Sequence, residues 1–451
     1  MASVLAPLMF VAILLLLPLG FPVGFTVLGV AITFATLGQL LGVFDLHLLS
    51  ALPLRTFNLM DNDLLQAVPL FIYMGAVMER TRLSRDLFDS LGALFGGRPA
   101  GLAVATLILG VLLAPTTGAV GATVVALGLL ALPPMLNASY DRRFACGITA
   151  AVGTLGTVLP PSIILILLGD QMRIARSEGL RLLGQAAGAP FLLNKLFVGM
   201  VVPVLLVIVA YVGIVVWRAL RAPESCPPRR STVSLPRAIA NIVPPIAIIA
   251  TTLFLIVSGK LYTVEAAGAA AVAITIWALV RRELSLGTLA EITRLVMRVA
   301  GAMFLLILGA NTFSLVFRGF GGDLLTKQLI TSSFSSAEIA TPVVFAMLLV
   351  FGFFLDAIEI VFLVVPIAIP PLIVLGADPL WLAVLVGLTL QTSFLLPPSG
   401  FALFFLRNVA PKDISMVTIY RGVRPFVLVQ IAILVSVLLW PGLATWLPAR
   451  I

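Results

Sequence analysis

The stretch ALPPMLNASYDRRFACGITAAVGTLGTVLPPS, residues 131–162, decides the reading of the whole chain, because it returns as AIPPLIVLGADPLWLAVLVGLTLQTSFLLPPS at residues 368–399. The two copies align without a gap at an offset of 237, which carries Pro133 to Pro370 and Pro160 to Pro397. Eight of the 32 positions are identical, and their arrangement is specific. Two Pro-Pro pairs recur at the same separation of 27, the second is closed by Ser in both copies, and Asp141 falls on Asp378. The register reaches outward, placing Asp86-Leu87 on Asp323-Leu324. Self-similarity at one fixed offset marks an internal duplication.

Composition sets the surroundings of these two copies. Of 451 residues, 61% are hydrophobic and 10% charged, with a mean hydropathy of +1.18. A soluble domain carries about 25% charged residues. Apolar runs long enough to cross roughly 30 Å of hydrocarbon recur along the chain. The net charge of +9 sits mostly in short loops, where Lys and Arg mark the cytoplasmic side, so it does not indicate nucleic-acid binding. Cys146 and Cys226 make no disulfide framework. Residues 1–20 lack a basic n-region and a small-residue cleavage site, and read as a retained first helix.

The expected architecture is an all-α polytopic membrane protein made of two inverted structural repeats with re-entrant hairpins and broken helices. The halves are 1–217 and 238–451, joined by an Arg- and Pro-rich linker at 218–237. Residues 83–95 and 321–333 are amphipathic and suit helical arms lying in the interface plane. Hairpins are expected at 98–137, with a Pro-, Thr- and Gly-rich tip at 114–123, and at 339–375, with its tip at 352–359. A helix over 144–159 runs into the Pro-Pro-Ser turn at 160–162, and its counterpart ends in the turn at 397–399. Residues 170–188 read as a polar surface loop.

Backbone groups in hydrocarbon need partners, so broken helices survive only where protein buries them or where they line a polar cavity. Interruptions at matching places in two halves point to a transport site, with free carbonyls for a small cation and half-helix N-termini for an anion. Asp356 is the sharpest single residue. A mid-membrane carboxylate costs at least ~2.5 kcal/mol without a partner, which makes Asp356 a cation ligand or an anchor for its hairpin tip. Glu359 follows three residues on. The counterpart of Asp356 is Ala119, where Thr116 and Thr117 supply hydroxyls instead. Arg55, Arg318 and Arg407 are candidates to meet an anion, and Asn311 and Gln391 are uncharged polar groups within apolar runs. The substrate candidates are thus Thr116, Ser162, Asn311, Gln391 and Arg55. No zincin, serine-hydrolase or nucleotide-binding motif is present, and neither catalytic residues nor a transition metal are expected.

The set VPLFIYMGAVMER (68–80), TTGAVGAT (116–123), GTLGTVLPPSI (153–163), GFFLDA (352–357), FLLPPSGFALF (394–404) and RGVRPF (421–426) resembles the large membrane subunit of tripartite ATP-independent periplasmic (TRAP) transporters over almost the whole chain. The resemblance implies an elevator-type secondary transporter of the bacterial inner membrane. In it, Na+ as coupling ion drives uptake of a small organic acid and no other cofactor is used. The implied partners are a periplasmic solute-binding protein and a small four-helix membrane subunit. Carried over by motif, one sodium site uses Thr117, Gly118, Gly156, Leu159 and Pro161. The other uses Gly352, Ser393, Leu396 and Ser399, with Asp356 matching the family's Asp after the second tip. Thr117-Gly118-Ala119 stands where the family has Ser-Gly-Ser, Ala114 where it often has Ser, and Ser393 where it usually has Gly. The length of 170–188 points to a branch handling keto, hydroxy or aromatic acids. The alternative reading is a stand-alone sodium- or proton-coupled anion exchanger of similar architecture. A channel would line its pore with charge rings, which the sequence lacks.

Five arginines of the linker (218, 221, 229, 230 and 237) face one acid, Glu224, which puts this segment in the cytoplasm. A cysteine in the linker, with Cys226 as the native probe, is therefore expected to escape a membrane-impermeant thiol reagent in intact cells. Ready labelling from outside would reverse the orientation.

Overall fold

The computed structural model of the chain describes residues 2–117, 120–185, 191–229, 233–397 and 400–450. Every regular element among them is helical. Among the described residues, eight helices are long and apolar enough to cross a membrane, from Val23–Leu40 to Met416–Leu439. Residues cluster into two compact units that interleave along the chain.

One unit comprises Met1–Gln66, Leu167–Leu192 and Met297–Ala383. The ring of Phe10 meets Phe313, Phe317 and Phe351 at 5.7, 6.3 and 6.2 Å between centroids. Helix Val23–Leu40 presses its backbone on helix Leu286–Gly319 at Gly24, where a Cβ would come within 2.9 Å of the Leu306 nitrogen. The second arm, Gly322–Ser333, is entered through Gly321 at φ +75°, a conformation glycine adopts without strain. The second hairpin follows as Ala337–Phe351, a turn, Ala357–Glu359, a π-helical turn Ile360–Val364, and Val365–Val374.

The expected loop from 170 is instead part of helix Ile163–Leu182, and Asp170, Gln171 and Glu178 are 3%, 3% and 6% exposed. Each buried carboxylate has partners, as burial requires. Asp170 accepts from Asn62 Nδ2 at 2.9 Å and Arg173 Nη2 at 3.1 Å. Glu178 accepts from Arg181 and, at 3.2 Å, from Arg318. The polar run looked solvated because two of these four partners, Asn62 and Arg318, lie far away in sequence. Loop length therefore carries nothing about the transported acid.

The other unit comprises Ala67–Ile166, Leu193–Val296 and Val384–Ile451. Its arm, Leu83–Phe95, buries Leu83, Leu87, Phe88 and Leu91 and packs on helices Leu235–Val257 and Gly101–Thr117. Helices Gly101–Thr117 and Val120–Leu130 form the limbs of the first hairpin. Helix Arg142–Gly153 starts at Asp141, whose carboxylate accepts from Phe144 N at 2.8 Å. Asp378 caps Pro379–Ser393 in the same way, through Trp381 N at 2.9 Å. Each such cap stabilises its helix by about 1 kcal/mol.

Helix Arg142–Gly153 stops six residues short of the expected 159. Gly153 lies so close to Val124 that a Cβ would sit 2.3 Å from the valine Cγ2, and a single 3₁₀ turn Thr154–Thr157 follows. Farther back, Gly147 and Gly422 let this helix cross Met416–Leu439 backbone to backbone. A Cβ on Gly147 would meet the Gly422 oxygen at 2.2 Å, and one on Gly422 the Arg143 oxygen at 2.0 Å.

Helix Leu193–Arg221 runs into the linker and Leu235–Val257 starts inside it. The segment between them is strapped down by backbone bonds. Ala100 N donates to Cys226 O at 2.8 Å, Asp141 N to Ser225 O at 2.8 Å, and Arg229 N to Gly96 O at 2.7 Å. These bonds bury Cys226 completely, so the native thiol cannot report orientation. The exposed Glu224 is the position at which to place the reporter cysteine.

The Gly147–Gly422 crossing gives a stability prediction. Overpacking costs roughly 1–3 kcal/mol, and here the obstacle is backbone. Gly147→Ala is expected to lower the melting temperature in detergent, whereas Gly213→Ala, with nothing within 4 Å of its Cβ, is expected not to. Equal melting of wild type and Gly147→Ala would contradict this crossing.

Candidate functional site

Helix Arg142–Gly153 ends inside protein, and the chain stays irregular until Ile163. Residues 154–162 are all buried except the half-buried Leu159. Local bonds hold this segment. Thr154 Oγ1 donates to Ala151 O at 2.7 Å, Thr157 Oγ1 to Thr154 O at 2.9 Å, and Ser162 Oγ to Gly156 O at 2.6 Å. From behind, Gln430 Nε2 donates to Tyr211 Oη at 2.7 Å and to Thr154 Oγ1 at 3.2 Å. Tyr211 itself is set edge-on against Phe426 at 5.1 Å.

Five carbonyls remain over. Among the described residues, those from Thr157 to Pro161, Leu159 and Pro161 among them, accept no hydrogen bond, while the Leu155 carbonyl takes two. The hairpin approaches at Gly156, whose Cβ position lies 3.3 Å from Ala114 O and 3.6 Å from Thr123 Oγ1. The structure thus brings Gly156, Leu159, Pro161 and Ser162 together beside both limbs of the first hairpin. Thr116 and Thr117 end helix Gly101–Thr117. Gly118 and Ala119 lie outside the described residues, as do the side chains of both threonines. Neutral oxygens with spare lone pairs suit a hard monovalent cation, as in the unwound helices of other transporters.

The second interruption is built differently. Gly352 is buried and closes helix Ala337–Phe351 through its N–H to Leu348 O at 3.0 Å, and among the described residues its carbonyl accepts nothing. Asp356 is the exposed N-cap of Ala357–Glu359 and forms a capping box with Glu359, whose carboxylate accepts from Asp356 N at 3.1 Å. Glu359 is the buried member of the pair, at 8% exposure. Ser393 closes Pro379–Ser393, with Oγ on Leu390 O at 2.9 Å, and Leu396 O accepts from Gly400 N at 2.9 Å. Gly352 and Asp356 belong to one unit and Ser393 and Leu396 to the other. Ser399 lies outside the described residues.

Among the substrate candidates, Gln391 stands out. It is 1% exposed and its Nε2 has no hydrogen-bond partner, a state that costs about 1–3 kcal/mol unless something accepts from it. Asn311 is half-buried on helix Leu286–Gly319. Arg55 is half-buried on Leu52–Met60, and burial, then the Arg318 charge, lower its pKa from the usual arginine value. Arg407 lies in the last turn of Phe401–Val409 without an ion pair among the described residues.

An arrangement that sequence reading missed surrounds the arms. Asp323, in the first turn of the second arm, pairs with Arg181 at 3.0 Å; its register partner Asp86, in the first arm, pairs with Arg281. Each arm is thus held by an arginine from the opposite half of the sequence. Hydrogen bonds and charge from Glu178, with Asp323 beside it, raise the Arg181 pKa. The signal in the sequence was the Asp86–Asp323 register, but nothing in it named the arginines.

Comparison with known proteins agrees with this architecture. Residues 8–443 match the family described as "Tripartite ATP-independent periplasmic transporter, DctM component". The chain is 26% identical over 431 residues to the sialic acid TRAP transporter large permease SiaM of Vibrio cholerae, covering 95% of each chain. It is 28% identical over 414 residues to the C4-dicarboxylate TRAP transporter large permease DctM of Pseudomonas aeruginosa, covering 88% of this chain and 89% of that one. Its fold is similar to the crystal structure of the Alcanivorax borkumensis YdaH transporter, with a TM-score of 0.64, 14% identity and 89% of each chain covered. With its broken apolar helices and these relatives, the chain belongs to the DctM-component family of tripartite ATP-independent periplasmic transporters, as a large permease subunit and a multi-pass protein of the bacterial inner membrane.

Proposed function

We propose that this permease carries out sodium-coupled uptake of a small organic acid delivered by a periplasmic binding protein. In this reading it works with a small four-helix membrane subunit and by an elevator-type motion of inverted repeats. The observation that supports it most is the buried break at residues 154–162, where among the described residues the five carbonyls from Thr157 to Pro161, Leu159 and Pro161 among them, are left without donors beside the first hairpin. Sodium, as cargo and driving ion, would be held there by backbone oxygens together with Thr117, Gly118 and Gly156. The second ion would use Gly352, Ser393, Leu396 and Ser399, with Asp356 contributing its charge. The relatives named for sialic acid and C4-dicarboxylates handle carboxylic acids. Such an acid would find the unpartnered Gln391 amide, with Thr116, Ser162, Asn311 and Arg55 as further contacts.

The coupling is read directly in vesicles. With the small subunit present, free acid alone should give negligible uptake, and the loaded binding protein together with an inward sodium gradient should restore it. Vigorous uptake without the binding protein would favour the stand-alone exchanger.

Asp356→Asn removes the charge and keeps an acceptor for the cap. The variant should need roughly tenfold more sodium for half-maximal uptake, about 1.4 kcal/mol of affinity, with little change in melting temperature. Asp356→Ala should be worse, since it also loses a cap of about 1 kcal/mol. An Asn variant with normal sodium dependence and lowered melting temperature would show that Asp356 serves the hairpin only.

A further inference from the structure

The closing motif RGVRPF, residues 421–426, sets Phe426 against Tyr211 behind the break, while Arg421 and Arg424 stay exposed. It lines a cavity of ≈ 540 Å³ together with Arg143, Phe144, Trp217 and Arg218. All these residues belong to one unit. They come from three helix ends: the start of Arg142–Gly153, the last turn of Leu193–Arg221 and the first part of Met416–Leu439. The last two are candidate membrane spans, so the cavity opens at headgroup depth. Trp217, 57% exposed, has the place of an interfacial aromatic.

Four guanidinium groups share this cavity, and among the described residues none has a carboxylate within ion-pair distance. The adjacent acids are engaged elsewhere: Asp413 pairs with Arg142 at 2.6 Å, and Asp141 caps Phe144 N. Like charges held this close repel, and the backbone gives them little freedom to part. Gly422 is wedged against the Arg143 carbonyl. Arg421 and Arg424, three residues apart, share a helix face on either side of that contact. Arg218 is steadied over the Phe144 ring at 5.7 Å. An uncompensated cluster of arginines is a receptor for phosphate oxygens, which guanidinium groups bind through two parallel bonds.

We infer that this cavity binds the phosphodiester headgroup of an anionic phospholipid. Four arginines in one cavity favour a lipid with two phosphodiesters, cardiolipin, over one with a single phosphate. Location decides between lipid and soluble phosphate: exposed apolar side chains on the Arg421–Arg424 face of helix Met416–Leu439, Leu428, Val435 and Leu439, lead away from the cavity at 67%, 43% and 63% exposure. Acyl chains can lie there while the headgroup sits among the arginines. Basic cavities between membrane helices on the cytoplasmic side are suited to such headgroups.

The test uses the full-length protein in detergent, wild type and Arg421→Gln/Arg424→Gln, by native mass spectrometry and melting. Cardiolipin, phosphatidylglycerol, phosphatidylethanolamine and inorganic phosphate are added in turn. Wild type is expected to retain cardiolipin most strongly, phosphatidylglycerol less and phosphatidylethanolamine least, and inorganic phosphate should neither raise its melting temperature nor displace cardiolipin. The double variant should bind cardiolipin roughly 30-fold more weakly, at about 1 kcal/mol per basic residue, and melt no lower than wild type in lipid-free detergent. Arg421→Lys/Arg424→Lys should restore part of the affinity. Should the Gln variant fail to fold, Arg143→Gln and Arg218→Gln carry the same expectation singly, with about fivefold losses. Undiminished cardiolipin binding in the variants would overturn the assignment. So would equal protection of wild type by inorganic phosphate, which would make the cavity a site for a soluble anion.

Discussion

A peptide group in hydrocarbon needs a partner, and the rest of this structure follows from the places where the chain leaves one without. The break at residues 154–162 is affordable because protein covers it on all sides described: the first hairpin at Gly156, the Tyr211–Gln430 pair behind Thr154, and the Ser162 hydroxyl within. Those supports in turn demand close helices. Gly147 and Gly422 allow the crossing that brings Gln430 to Thr154, and Gly153 admits Val124. Once this shell is built, the carbonyls from Thr157 to Pro161 are the backbone groups it leaves unused among the described residues.

Charge fixes what apolar packing leaves free. The two arms are amphipathic helices that could slide along an interface, yet each begins with an aspartate tied to an arginine from the other half of the sequence. The same economy appears inside helix Ile163–Leu182, where Asp170 and Glu178 are buried only because Asn62, Arg173, Arg181 and Arg318 reach them. The arginines of the RGVRPF cavity are the exception, clustered without acids, and for that reason they suggest a ligand from outside the chain.

Much of this was legible in the residues. The offset of 237 put Asp141 and Asp378 in like places, and both cap the helix that precedes a Pro-Pro pair; Pro398 and Ser399 lie outside the described residues. Hydrophobic periodicity found the first arm because it buries one face, whereas the second arm buries only Gly322. Periodicity failed at 170–182, since a helix whose polar side meets distant partners has the composition of a loop. It overran the helix end at Gly153, where a 3₁₀ turn takes over seven residues before the Pro-Pro pair that the sequence shows as the breaker. Asp356 and Glu359 were weighed by hydropathy alone, which could not foresee that they cap one another with Glu359 on the buried side.

In the proposed function the buried break at 154–162 binds sodium through its own backbone. Hydrogen–deuterium exchange of the purified permease in lipid nanodiscs, compared in sodium and in potassium at equal ionic strength, addresses it without transport or partners. A bound ion ties the break together, so amides from Thr154 to Leu159 should exchange more slowly in sodium, while the Gly147–Gly422 crossing stays unchanged. Identical exchange at 154–162 in the two salts would contradict the account.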